Sequence, residues 1–123
     1  GLPVAYGVCE ALRAQHVYWA ERENDNEPLH FRQYLEVRPG EKVLLADDIL
    51  RTGQKLAELK KLVEGHGGEV VGLAVVAYQP SPVCVDFGPL PLHYLAQLDG
   101  KYYANASACE LCKRGVAFDK VRL

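Results

Sequence analysis

Apolar and polar positions change period several times along this chain, and each change marks an element. Val4, Val8, Ala11 and Leu12 fall on one helical face, with Pro3 in the first turn, where proline is tolerated; they predict a helix over 3–15. Val17-Tyr18-Trp19-Ala20 is short, apolar and aromatic, and predicts a buried strand. The polar run from Glu21 to Pro28 predicts a loop, and Leu29 to Val37, which alternates imperfectly, an edge strand. Arg38-Pro39-Gly40-Glu41 reads as a turn and Lys42 to Asp47 as a second buried strand. From Gln54 to His66 the pattern is helical. Leu56, Leu59, Leu62 and Val63 form the apolar stripe, Lys55, Glu58, Lys60, Lys61 and Glu64 the wet side, and Gly65, Gly67 and Gly68 the stop. Glu69 to Ala77 is apolar throughout and predicts a third strand. Tyr78 to Leu123, with prolines at 80, 82, 89 and 91, reads as irregular, with a short helix expected near Leu92 to Leu98.

Continuous apolar strands alternating with helices predict an α/β protein: a Rossmann-like parallel sheet flanked by helices. A single domain is expected over 1–123, with 78–123 as an irregular tail. Three parallel strands and one edge strand make a smaller sheet than usual. The first helix also has no strand ahead of it, although a βαβ unit requires one. The chain contains no Met and starts Gly1-Leu2-Pro3 at a helix-start pattern. The expectation is a fragment lacking its N-terminal part.

Composition narrows the function classes. The 123 residues are 49% hydrophobic and 24% charged, which is globular usage. Acids and bases are interspersed around a formal net charge of −2, and no Lys/Arg block suggests a nucleic-acid surface. The longest apolar runs fall short of a membrane span and no leader pattern precedes them, so a soluble cytoplasmic protein is expected.

The chemistry concentrates in Val43-Leu44-Leu45-Ala46-Asp47-Asp48-Ile49-Leu50-Arg51-Thr52-Gly53. Two carboxylates ending a buried strand repel each other unless hydroxyls, a cation or backbone donors satisfy them. Vicinal ribose hydroxyls offer two such donors. A Thr-Gly loop opening a helix is a place where backbone N–H groups hold a phosphate. The bland alternative is a pair of exposed turn acids, one of them a cap. A phospho-accepting receiver domain would need a further Asp after a later strand, where this chain has Ala77-Tyr78-Gln79. Cys109 and Cys112 form a Cys-x-x-Cys for which structural, metal-binding and redox uses all stay open. His16, His30, His66 and His93 are scattered and take no catalytic role.

The Val43 to Gly53 segment resembles the signature of the type I phosphoribosyltransferases: four apolar residues, two acids, two apolar residues, a variable position, then Thr-Gly. Gly1-Leu2-Pro3-Val4-Ala5 resembles the end of that family's pyrophosphate loop. Ala20-Glu21-Arg22-Glu23, Phe31-Arg32, Pro39 to Val43 and Cys109 to Val116 are similar to orotate phosphoribosyltransferases in particular. The resemblance implies transfer of a phosphoribosyl group between phosphoribosyl pyrophosphate and a nucleobase, orotate foremost, with Mg2+ riding on the pyrophosphate and ribose hydroxyls. The other reading is a regulator that binds the phosphoribosyl ligand with little catalysis. By the same resemblance Asp47 and Asp48 hold the ribose hydroxyls, and Arg51, Thr52, Gly53, Gln54 and Lys55 form the 5-phosphate loop. Arg22 approaches the pyrophosphate, Gly1 sits in its loop, and the protein is a homodimer. It also implies that the family's N-terminal hood and first core strand are absent here, so the fragment itself would be inactive. Three departures stand out: Arg51, Gln54 and Lys55 replace the family's usual loop residues, no Lys occurs from Glu23 to Glu41, and Tyr78-Gln79-Pro80-Ser81 has no Arg.

Overall fold

The computed structural model describes residues 1–117 apart from Asp25 and Gln33; the end of the expected tail, 118–123, lies outside the described residues. Three parallel strands form the main sheet in the order β3 (Lys42–Leu50), β4 (Glu69–Tyr78), β5 (Leu92–Gln97). Ahead of it come α1 (Leu2–Leu12) and a small antiparallel ladder, β1 (Ala20–Glu21) with β2 (His30–Phe31). Helix α2 (Gln54–Gly65) makes the crossover from β3 to β4, and a single turn, α3 (Glu110–Lys113), lies in the tail. The architecture is the expected one, a parallel sheet flanked by helices.

The core lies between α2 and the sheet. Leu45, Leu50, Val70, Leu73 and Val75 bury their side chains against Leu56 and Val63, and Val37 joins them from the loop before β3. Helix α1 packs on β3 but ends short of the expected length. Arg13 turns left-handed at φ 53°, and the Ala14 N–H closes on the Cys9 carbonyl at 2.9 Å, a 6→1 closure that satisfies an end carbonyl.

Three expectations are corrected. Val17–Trp19 do not join the parallel sheet. A cavity of 430 Å³, lined by Val17 and Tyr18 on one side and by Leu44 and Ala46 of β3 on the other, separates them. Tyr18 instead donates its hydroxyl proton to the Glu41 carboxylate, 3.0 Å from each oxygen, and only Ala20–Glu21 pair, with β2. The third parallel strand is Leu92–Gln97, where a short helix was expected. The seven residues between Pro91 and Asp99 are too few to stabilise a helix. The second edge of β4 offers ladder partners along that length, with Leu73 opposite Leu92 and Tyr78 opposite Gln97. Of the expected edge strand over 29–37, only His30–Phe31 are paired among the described residues.

Candidate functional site

Strand β3 runs three residues beyond its expected end, so both acids sit in the strand's second half, with Ile49 and Leu50 continuing it. Asp47 faces Val75 in the ladder and is nearly covered, its side chain 14% exposed, whereas Asp48 is 66% exposed. Each carboxylate accepts the next backbone N–H: Asp48 N–H to Asp47 Oδ1 at 3.0 Å, Ile49 N–H to Asp48 Oδ1 at 2.9 Å. Partial burial works to raise the Asp48 pKa. Hydrogen bonding with Asp47 and with the Ile49 N–H outweighs it and holds this carboxyl below the usual carboxylate range. The Gly1 nitrogen lies 3.6 Å from Asp47 Oδ1 and 3.9 Å from Asp48 Oδ2. A Cβ on Gly1 would come within 2.5 Å of Asp47 Oδ1, so a side chain there would push the Asp47 carboxylate aside.

The loop after β3 is built to present its N–H groups. The carbonyls of Leu50, Arg51 and Thr52 accept hydrogen bonds from the N–H groups of Gln79, Ser81 and Val85, each at 2.9 Å, which lash the loop to the segment after β4. Gly53 caps α2 in the left-handed region at φ 72° and is buried against Phe87, Val85 and Leu50. No side chain caps the helix and its first turn carries no acid. Gln54 N–H reaches only a 3.5 Å contact with Thr52 Oγ1. The remaining first-turn N–H groups are those a helix leaves free for an external acceptor.

One cavity of 240 Å³ joins the two halves: Asp47, Asp48, Ile49, Leu50, Arg51, Thr52, Gly53, Lys55 and Leu56 all line it. Lys55 and Asp47 also line a neighbouring cavity of 310 Å³ bounded by Gly1, Trp19 and Ala20. Of the residues expected in the site, Gly1, Asp47, Asp48, Arg51, Thr52, Gly53 and Lys55 thus come together on these walls, and Gln54 opens the adjoining helix. Arg22 is engaged elsewhere. Its Nη2 bonds Glu58 Oε2 of α2 at 2.7 Å, while Glu58 Oε1 accepts the Leu29 N–H at 2.7 Å. That backbone hydrogen bond, opposed by slight burial and reinforced by Arg22, lowers the Glu58 pKa. Sequence reasoning missed the bracing segment 79–85. Its only local signal is a short apolar run, Val83-Cys84-Val85, after two prolines. It also missed Trp19 as a wall of the second cavity.

Cys109 and Cys112 lie in the tail, and the Cys112 N–H donates to Cys109 Sγ at 3.2 Å. Among the described residues no group of three or more His, Cys, Asp or Glu side chains is arranged to hold a metal ion. Nor is any helix among them long and apolar enough to cross a membrane.

Residues 1–86 match the family model described as the phosphoribosyl transferase domain. The chain belongs to the phosphoribosyltransferase family. Among its relatives, the orotate phosphoribosyltransferase of Thermotoga maritima is 34% identical over 120 residues, covering 98% of this chain and 61% of the relative. That of Caldanaerobacter subterraneus subsp. tengcongensis is 32% identical over 120 residues, again 98% of this chain and 60% of the relative. The orotate phosphoribosyltransferase of Carboxydothermus hydrogenoformans is 34% identical over 116 residues, 94% and 58% of the two chains. This phosphoribosyltransferase chain therefore spans about three-fifths of the length of these relatives.

Proposed function

We propose that the protein carrying this chain transfers a phosphoribosyl group between phosphoribosyl pyrophosphate and a nucleobase, with orotate the first candidate. The observation that carries the reading is the single cavity in which paired carboxylates face the open first turn of α2. Asp47 and Asp48 accept the two ribose hydroxyls, and the N–H groups of the Thr52–Lys55 turn hold the 5-phosphate, aided by the charges of Arg51 and Lys55. Held at both ends, the ribose has its anomeric carbon fixed for displacement of pyrophosphate, so positioning supplies much of the rate. Positive charge that develops on the ring in an oxocarbenium-like transition state is stabilised by the two carboxylates beneath it.

The adjacent hard oxygen donors suit Mg2+. Asp47 and Asp48 would hold the ion, and when bound it would supply positive charge to the departing pyrophosphate. Names of relatives favour orotate, and the same reading implies a homodimer in the cytoplasm, with Gly1 beside the pyrophosphate. One observation favours a second reading, a ligand-binding regulator with little catalysis: Arg22, the cation expected at the pyrophosphate, is held by Glu58.

Calorimetric titration of the full-length protein with phosphoribosyl pyrophosphate and Mg2+ tests the site. Binding in the wild type, lost in Asp47→Asn/Asp48→Asn, is the expected result. No binding by well-folded wild type refutes it. Pyrophosphate release with orotate then separates enzyme from regulator.

A further inference from the structure

The cysteine pair lies outside this site and has no part in the chemistry above. We propose that Cys109 and Cys112 are a dithiol that closes to an intrachain disulfide by exchange with a low-molecular-weight disulfide such as oxidised glutathione. The two residues flank one turn: Cys109 is the extended residue before α3, at φ −87° and ψ 115°, and Cys112 lies within it. The 3.2 Å bond from the Cys112 N–H to Cys109 Sγ folds the first sulfur over the backbone of the second residue. Residues three apart on a helix have Cβ atoms about 5–6 Å apart, and a disulfide needs about 3.5–4.5 Å. Cys109 lies outside the helix as its extended cap, so closing that gap moves the cap residue and not the helix.

Access decides which sulfur meets the small disulfide first, against the order of acidity, and the more acidic Cys109 serves as the resolving thiolate. Cys112 is exposed and Cys109 is buried. Hydrogen bonding from the Cys112 side chain and backbone favours the Cys109 thiolate, and the same side-chain bond disfavours the Cys112 thiolate. Exposed Lys113 and Arg114 follow and attract an anionic disulfide. The exposed Cys112 thiolate attacks one sulfur of the small disulfide. A mixed disulfide forms, and one small thiolate leaves and takes up a proton. The Cys109 thiolate then attacks Cys112 Sγ and expels the second small thiol. Two protein thiols are oxidised, one disulfide is reduced to two thiols, and the two protons end on the products. The other cysteines stand alone, Cys9 Sγ 3.3 Å from the Ala14 carbonyl and Cys84 Sγ 3.6 Å from the Val85 carbonyl.

The test is alkylation and peptide mass mapping of the full-length protein across reduced-to-oxidised glutathione ratios, with and without a zinc chelator. The expected result is that Cys109 and Cys112 lose alkylation together while Cys9 and Cys84 stay reactive. Cys109→Ser should trap one glutathione on Cys112, and Cys112→Ser should be glutathionylated at Cys109 more slowly, because Cys109 is buried. Because Cys109 is buried, the Cys112→Ser result and the wild-type pattern decide the matter if Cys109→Ser misfolds. Independent oxidation of the two thiols overturns the proposal. So does protection that the chelator abolishes, which would make the pair a metal ligand set.

Discussion

Gly53 carries two separable burdens, and replacing it with alanine should expose both. Its backbone sits at φ 72°, where an L side chain costs about 1–2 kcal/mol. An added Cβ would also lie 3.0 Å from Phe87 Cε2, 3.2 Å from Val85 Cβ and 3.3 Å from Leu50 Cδ1. Leu50 is fully packed, so the crowding cannot be relieved without moving the loop, an overpacking cost of about 1–3 kcal/mol. Gly40 supplies the control. Its φ is 76°, yet nothing lies within 4 Å of its would-be Cβ, so Gly40→Ala carries the conformational cost alone. Urea unfolding of the full-length protein, extrapolated linearly, should place Gly53→Ala about 1–3 kcal/mol below Gly40→Ala. Titration with phosphoribosyl pyrophosphate should show weaker binding for Gly53→Ala and wild-type affinity for Gly40→Ala. Equal destabilisation of the two variants, or unchanged ligand affinity in Gly53→Ala, would refute the claim that this glycine shapes the phosphate loop.

Leu73 is completely buried at the centre of β4, and Leu73→Ala should destabilise the protein by about 2–5 kcal/mol in the same urea assay. A loss under about 1 kcal/mol would place the core elsewhere. Glu41 accepts the Arg38 N–H at 2.9 Å and the Tyr18 hydroxyl at 3.0 Å. The backbone bond, opposed by burial and helped by Tyr18 and His16, lowers its pKa. A carboxyl lowered on folding contributes stability above its unfolded value near pH 4.3 and loses it as pH falls through the folded value. Stability of the wild type should therefore fall below about pH 4, and Glu41→Gln should flatten that part of the curve; superimposable acid limbs would count against the cluster.

Where the sequence was misread, the missing information was tertiary. Leu92–Gln97 carries no alternation to distinguish strand from helix, and the free edge of β4 settles the matter by offering it hydrogen-bond partners. Val17–Trp19 has strand composition, but among the described residues no strand pairs with it. The Tyr18–Glu41 hydrogen bond holds it across a cavity from β3. The resemblance places Arg22 at the pyrophosphate, yet its partner, Glu58, lies 36 residues away and cannot be read from local pattern.

The chain by itself determined the continuous apolar runs of β3 and β4, the stripe of α2, and the Asp47-Asp48 to Thr52-Gly53 segment. These rest on interactions within one strand, one helix turn or one loop, where residue type and spacing decide the outcome. Only the fold decided that Gly1 meets Asp47, that residues 79–85 brace the loop after β3, and that Phe87 and Val85 close over Gly53. Those contacts join segments far apart in the chain. They follow from how α2 and the sheet pack, because close packing around a buried glycine is a property of the assembled core and leaves no periodic trace in the sequence.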